Sequence, residues 1–317
     1  MQRKLKDIGE FGLIKRIAEK EKVFGKEVIV GIGDDSAVIK YKKGYHLLLT
    51  TDMLIEGIHF NKKATPFQIG YKSLATNISD IAAMGGIPKY ALVSLGLKKE
   101  TSIKFVDEIY RGIRSLAKKF KVTILGGDTV SSPKIIINIA LSGEVKKNYL
   151  TLRKGAKPGD KIYVTGTLGG SILGKHLSFI PRVKEARYLV ENFHPTSMID
   201  ISDGLLSDLK RVCEASKVGA RIYQEKIPLS QGVISLAKKK KENPYRLALT
   251  GGEEFELLFT LSKKYKNCRG RIHPTRGFIT QIGEITKRGI VLLDEKNKVI
   301  HLRKIGFDHF KNAGNIS

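Results

Sequence analysis

The chain is expected to fold as two halves of mixed α/β or α+β character. Three observations predict this. Short apolar runs of strand type end repeatedly in a Gly, Ser or Thr followed by a carboxylate. Substantial helical patterns separate those strands in the first half, which closes near Glu144. Lys146–Gly159 (KKNYLTLRKGAKPG) is then basic, contains Gly and Pro, and reads as a linker into the second half. At 317 residues the chain is long enough to bury a core in each half.

Gly9–Lys22 places Phe11, Ile14, Ile17 and Ala18 on one face and reads as an amphipathic helix. Strands are expected at Val28–Ile32, Ser36–Lys40 and His46–Thr51, the last two joined by a tight turn at Lys42–Gly44. Thr65 caps and Pro66 opens a helix that runs through Asp80 to about Met84, where Gly85-Gly86 stops it. Lys89–Leu97 is a strand, and Ser102–Phe120 a helix with Phe105, Ile109, Ile113 and Leu116 inward. Val122–Leu125 leads into a Gly126-Gly127-Asp128 turn, and Lys134–Gly143 is a further strand.

The second half opens with a strand at Lys161–Thr165, the glycines of Gly166–Gly170 and a helix. Met198–Ile201 is a strand, and Asp203–Ser216 a helix burying Leu205, Leu206, Leu209 and Val212. Ala220–Tyr223 reads as a strand, Gln231–Lys240 as a helix and Arg246–Leu249 as a strand. Phe255–Leu261, Thr280–Ile285, Ile290–Leu293 and Val299–Leu302 follow as strands, the last two as a hairpin. Lys311–Ser317 reads as a loose polar tail.

Composition narrows the function classes. No run approaches the ~18 apolar residues of a membrane span, and Met1–Asp7 has no apolar signal segment. Cys213 and Cys268 are far apart and in no metal-ligand spacing, as expected of a reduced, cytoplasmic protein. The net charge of +26 invites a nucleic-acid reading. Its lysines, however, are dispersed over polar helix faces and loops without interleaved aromatics, so a solvated lysine-rich surface and no nucleic-acid partner is the expectation. Gly169–His176 (GGSILGKH) approaches a P-loop, but His176 replaces the hydroxyl that would hold magnesium.

The chemistry is concentrated around Leu47–Phe60 (LLLTTDMLIEGIHF) and the strand ends that repeat its pattern. Asp34, Asp35, Asp52, Asp80, Asp128, Asp200, Asp203 and Glu253, with the hydroxyls of Thr50, Thr51 and Ser202, make an all-oxygen donor set. Such donors suit magnesium or calcium rather than zinc. Clustered carboxylates repel unless a cation compensates them, and glycines beside them let backbone approach a bulky anion. Together these features suggest Mg-nucleotide chemistry without a Walker motif.

Several stretches also match a known family in order: GEFGLI at Gly9–Ile14, GIGDDSAV at Gly31–Val38, TTDMLIEGIHF at Thr50–Phe60 and YKSLATNISDIAAMGGIP at Tyr71–Pro88. GGDT at Gly126–Thr129, GAKPGDKIYVTGTLG at Gly155–Gly169, MIDISDGLLSDL at Met198–Leu209, GGEEFEL at Gly251–Leu257 and GFDHF at Gly306–Phe310 continue the series. The chain therefore resembles the thiamine-monophosphate kinase family, within the aminoimidazole-ribonucleotide-synthetase-like ATP-binding superfamily. The selenophosphate-synthetase and hydrogenase-maturation branches would carry a reactive Cys or selenocysteine near the start, or a terminal Cys, and neither is present.

The resemblance implies a two-domain fold, α/β plus α+β. Residues 1–145 would form an ATP- and Mg-binding domain whose strands pair across a homodimer, 146–310 an α+β domain, and 311–317 a disordered tail. It implies ATP and thiamine monophosphate as substrates and several Mg²⁺ ions between the domains. Metal-ligand roles carry over to Asp35, Thr50, Thr51, Asp52, Asp80, Asp128, Asp200 and Asp203. Nucleotide roles carry over to Tyr110, Gly127, Asp128, Arg153 and Ser202, and acceptor roles to His59, Glu253 and Phe307. No general base is implied, because a phosphate monoester with a second pKa of about 6 is already ionised at neutral pH. The implied reaction is direct in-line phosphoryl transfer giving thiamine diphosphate. The competing expectations are a sibling ATP-dependent synthetase, and a non-catalytic basic nucleic-acid-binding protein.

Overall fold

The computed structural model describes residues 4–23, 25–265 and 279–300. The first half contains α1 (Leu5–Ala18), β1 (Val28–Val30), β2 (Ala37–Lys40), β3 (Tyr45–Ile55) and α2 (Pro66–Ala83), followed by β4 (Ile87–Leu97), α3 (Ile103–Phe120), β5 (Thr123–Ser131) and β6 (Ile136–Lys146). Its strands form one sheet in the order β1-β2-β3-β6-β4-β5, with only β4 and β5 parallel among the pairs. The second half contains β7 (Lys161–Thr165), α4 (Val183–Asn192), β8 (Ser197–Asp200), α5 (Leu205–Ser216), β9 (Gly219–Tyr223) and α6 (Gln231–Lys240), followed by α7 (Pro244–Thr250), β10 (Leu257–Leu261), β11 (Ile279–Thr286), β12 (Ile290–Leu293) and β13 (Val299–Ile300). Its sheet runs β13-β12-β9-β11-β7-β10-β8.

The helix start at Thr65 is built as the residue types require. Its hydroxyl accepts from the Gln68 N–H at 3.2 Å, the Gln68 side chain accepts from the Thr65 N–H at 2.9 Å, and Pro66 occupies the first turn. Gly85, at φ +73, follows the end of the helix. α2 and α3 lie side by side over one face of the first sheet. A Cβ at Gly112 would sit 2.0 Å from the Phe67 carbonyl oxygen, so this helix crossing needs glycine there. The second core lies around Ile162, Ile199, Leu209, Ala220, Leu258 and Ile282.

α2 also packs against α4 and β8 of the second half. It buries Lys72, Ser73, Thr76, Asn77 and Ser79 besides its apolar residues. Polar side chains buried on several helix faces mark an element enclosed by protein all round, with internal hydrogen bonds to satisfy.

Several sequence expectations need correction. Arg246–Leu249 is not a strand but the body of α7, because Pro244 opens a helix whose first turn the Asn243 side chain caps through the Tyr245 N–H. Thr50–Asp52 and Gly126–Asp128 lie inside strands rather than in turns after them. Full-length pairing of β3 with β6, and of β5 with β4, carries those strands onward. The glycines after β7 lead into two short 3-10 turns, Ser171–Leu173 and Lys175–Leu177, instead of a helix. α1 is kinked at Gly9 and leaves Phe11, Ile14 and Ile17 partly exposed; Phe11 lies 4.0 Å beneath the Arg211 guanidinium. Among the described residues no helix is long and apolar enough to cross a membrane.

Candidate metal and phosphate site

Asp35 follows β1, Asp80 lies in the last turn of α2, and Asp200 ends β8. Strand and helix termini from both halves thus bring three carboxylates to one point, with donor oxygens within 4.8 Å of one another. The Thr50 hydroxyl donates to Asp80 Oδ2 at 2.6 Å, and the Ser79 hydroxyl to Asp200 Oδ2 at 2.6 Å. Arg153, in the segment read as a linker, donates to Asp35 Oδ1 at 2.6 Å, and its backbone N–H faces the Asp34 carboxylate. The linker is therefore part of the site. Asp35 Oδ2 is buried and has no hydrogen-bond partner among the described residues.

Burial, then repulsion from Asp35, lifts Asp200 to about 8. The same two causes lift Asp34 to about 7. Asp80 is pushed well up by burial and by Asp52, Asp200 and Asp35, and Asp52 is raised chiefly by burial. Burial opposes the charge on Arg153, yet Asp35 and Asp34 hold its guanidinium above the ordinary arginine value. An orphaned buried carboxylate oxygen, oxygen donors only and carboxyls forced toward neutrality form a donor set suited to a hard cation. These residues fit magnesium.

The remaining metal candidates divide. Asp52 faces α2, where its backbone N–H donates to Asn77 Oδ1 at 3.1 Å. Asp203 is ion-paired to Arg211, which also holds Asp208. The Thr51 hydroxyl points to the opposite, open face of the sheet and donates to Asn138 Oδ1 at 3.2 Å. Asp128 sits exposed on the same face of the edge strand β5, in the row Met53–Asn138–Ser94–Asp128. At about 4.8 Å per strand it lies ~14 Å from the β3 position. Within one chain, Thr51 and Asp128 do not join the three acids through their side chains.

A cleft of about 1180 Å³ opens over the acids, lined by Asp34, Asp35, Asp52, Asp80, Arg153 and Ser202 among others, with α1 along its border. That is room for a nucleotide; neither His59 nor Glu253 is among its lining residues. Tyr110 stands on α3, and neither it nor Gly127 lines the cleft. Gly127, at φ +156, has a structural reason to be glycine, since a Cβ would fall 1.7 Å from the Val93 carbonyl oxygen.

On the acceptor side, His59 Nδ1 accepts the Ile55 N–H at 3.0 Å, which leaves the ring proton on Nε2. Glu253 accepts from Lys72 at 2.5 Å, and its backbone N–H donates to the Ser202 carbonyl at 2.6 Å. Phe307 lies outside the described residues. The lysine of the P-loop-like stretch is turned inward: Lys175 donates to Glu256 at 2.8 Å, and Arg182 forks onto the same carboxylate at 2.6 Å from both nitrogens. The Lys175 ammonium is engaged by this carboxylate and by Glu254 at 3.5 Å. Sequence reasoning missed Lys72, Arg211 and Asp208. The signal for Lys72 was the single cation in a helix whose other residues are mostly small or apolar.

Family models described as AIR synthase related protein, N-terminal domain, and AIR synthase related protein, C-terminal domain, match residues 33–145 and 157–294. The chain is 36% identical to the thiamine-monophosphate kinase of Bacillus subtilis, over 95% of this chain and 99% of that one. It is 35% identical to that of Aquifex aeolicus, over 97% of this chain and 100% of that one. A solved structure described as "AaThiL complexed with AMPPCP and TMP" superposes with a TM-score of 0.85 at 32% identity, covering 98% of this chain and 99% of that one.

Proposed function

Because the chain belongs to the thiamine-monophosphate kinase family of AIR synthase related proteins, we infer that it transfers the γ-phosphoryl group of ATP to thiamine monophosphate, forming thiamine diphosphate and ADP. The observation that carries the mechanism is the meeting of Asp35, Asp80 and Asp200 from both halves beside Arg153. A phosphate oxygen of thiamine monophosphate forms the new bond to the γ-phosphorus while the bridging bond to ADP breaks. That oxygen is already ionised, so no side chain need remove a proton. The remaining obstacle is repulsion between two anions.

Asp35, Asp80 and Asp200, with Asp52, Asp203 and Thr50, would hold Mg²⁺, which supplies charge neutralisation and a template for in-line approach when bound. Arg153, fixed by Asp34 and Asp35, presents a cation at the nucleotide side beside Ser202. His59 and Glu253 orient the acceptor, with Nε2–H of His59 as a hydrogen-bond donor. Purified protein given ATP and Mg²⁺ is expected to release ADP only when thiamine monophosphate is present, with thiamine diphosphate identified directly. ADP release that yields no thiamine diphosphate would overturn the assignment.

A homodimer through the first sheet belongs to the same reading. Its open face exposes Leu49, Met53, Tyr90, Leu92, Leu125 and Val130, and the outer edge of β5 has no pairing strand among the described residues. Both features suit a second copy. Light scattering is expected to give twice the 35.2 kDa chain mass, and Val130→Asp, outside the cleft lining, to return it to the monomer value. A monomeric wild type would refute it.

A further inference from the structure

α2 carries one cation on its buried surface. The Lys72 side chain is fully buried, which costs several kcal/mol per ion unless partners compensate it. It has two. Its ammonium donates to the His59 carbonyl oxygen at 2.7 Å and to Glu253 Oε1 at 2.5 Å. The first partner belongs to the segment between β3 and α2, and the second to the segment that follows α7 in the other half. Glu253 is itself held in an uncommon conformation, φ +61, by its N–H bond to Ser202. Its other oxygen lies 4.0 Å from His176 Nε2, and His176 Nδ1 is 2.7 Å from the Ser171 carbonyl oxygen.

We propose that Lys72 is a positioning residue for the acceptor substrate: it fixes the spacing between His59 and Glu253 across the junction of the two halves. This rests on the assignment of those two residues to thiamine monophosphate. Lys72 has no exposed surface and reaches the substrate only through them. The nucleotide side is anchored separately, by Arg153 on Asp34 and Asp35. The Lys72 charge also acts on Asp52, but both of its hydrogen-bond partners lie on the acceptor side, so its larger effect falls on that substrate. A helix residue that merely stabilised the fold would affect both.

The test is steady-state kinetics of Lys72→Met with each substrate varied in turn. The KM for thiamine monophosphate is expected to rise about tenfold or more, while the KM for ATP stays within about twofold. Parallel rises in both, or no rise in the first, would overturn the proposal. Wild-type protein without thiamine-monophosphate-dependent turnover would instead defeat the functional reading, before Lys72 is tested. Lys72→Met alone leaves Glu253 unpaired and can fail to fold, so it is paired with a Lys72→Met, Glu253→Gln double variant. The double variant is expected to match Glu253→Gln alone within about threefold in that KM, because Lys72 acts through Glu253. A further rise of about tenfold would overturn the link.

Discussion

Asp80→Asn is expected to lower kcat/KM by about 10³-fold or more while making the metal-free protein more stable. Asp80 sits between Asp35 and Asp200, with donor oxygens within 4.8 Å, and takes the Thr50 hydroxyl at 2.6 Å. An Asn keeps the size and can keep the Thr50 bond, but it removes a charge that the cation would use. Losing such a ligand removes electrostatic stabilisation of the transferring phosphoryl group, typically several kcal/mol of barrier. In the metal-free state the same charge is a liability, since burial and Asp52, Asp200 and Asp35 all oppose it. The thermal midpoint without metal should therefore rise, most clearly at alkaline pH, and the stabilisation produced by added Mg²⁺ should shrink. Paired activity and melting measurements check this. Destabilisation of the metal-free variant would show that the three acids are not mutually repelled.

The second large effect is the pH dependence of the metal-free protein. Asp34 and Asp200 rise from 3.8 to about 7 and about 8 in the fold. Between these limits the native state holds protons that the unfolded state has released, so stability falls as pH rises. Stability is fullest below about 4 on account of these groups and is lost through pH 7 to 8. At 1.36 kcal/mol per pKa unit each group taken alone contributes on the order of several kcal/mol. Magnesium would reverse the preference by favouring ionised carboxylates, and its binding would release protons. Chelator-treated protein should melt lower at pH 8 than at pH 6, and Mg²⁺ should raise the midpoint more at pH 8. A Mg²⁺ effect independent of pH would contradict this account.

Much of the scaffold was legible locally. The Thr65–Gln68 cap, the Gly85 stop and the inward Ile109, Ile113 and Leu116 of α3 are short-range features, and the structure has them as read. α7 was misread because Leu247–Leu249 is too short an apolar run to show a period, and the deciding signals were Asn243 and Pro244 beside it. The acids were legible as residue types but not as a geometry. Asp80 meets Asp200 only because α2 docks on β8, a contact between distant segments that no local pattern encodes. The separation of Thr51 from Thr50 and Asp52 follows from strand alternation. Seeing it required knowing that β3 continues to Ile55, which its pairing with β6 decides. The Lys72–Glu253 pair shows only once the second half is in place.

The enclosure of α2 by both halves also has a consequence for biogenesis. On the ribosome α2 is made long before β8, α4 and the Glu253 segment, the elements that cover its remaining face. A nascent first half can close its own sheet and seat α3. Until β8 and the segment after α7 have been made, however, it carries the Ser79 hydroxyl without Asp200 and the Lys72 ammonium without Glu253. The helix that brings the acids together is thus sheathed only after those later elements are made, and for that interval its uncovered side exposes surface of the kind that makes folding intermediates prone to aggregate.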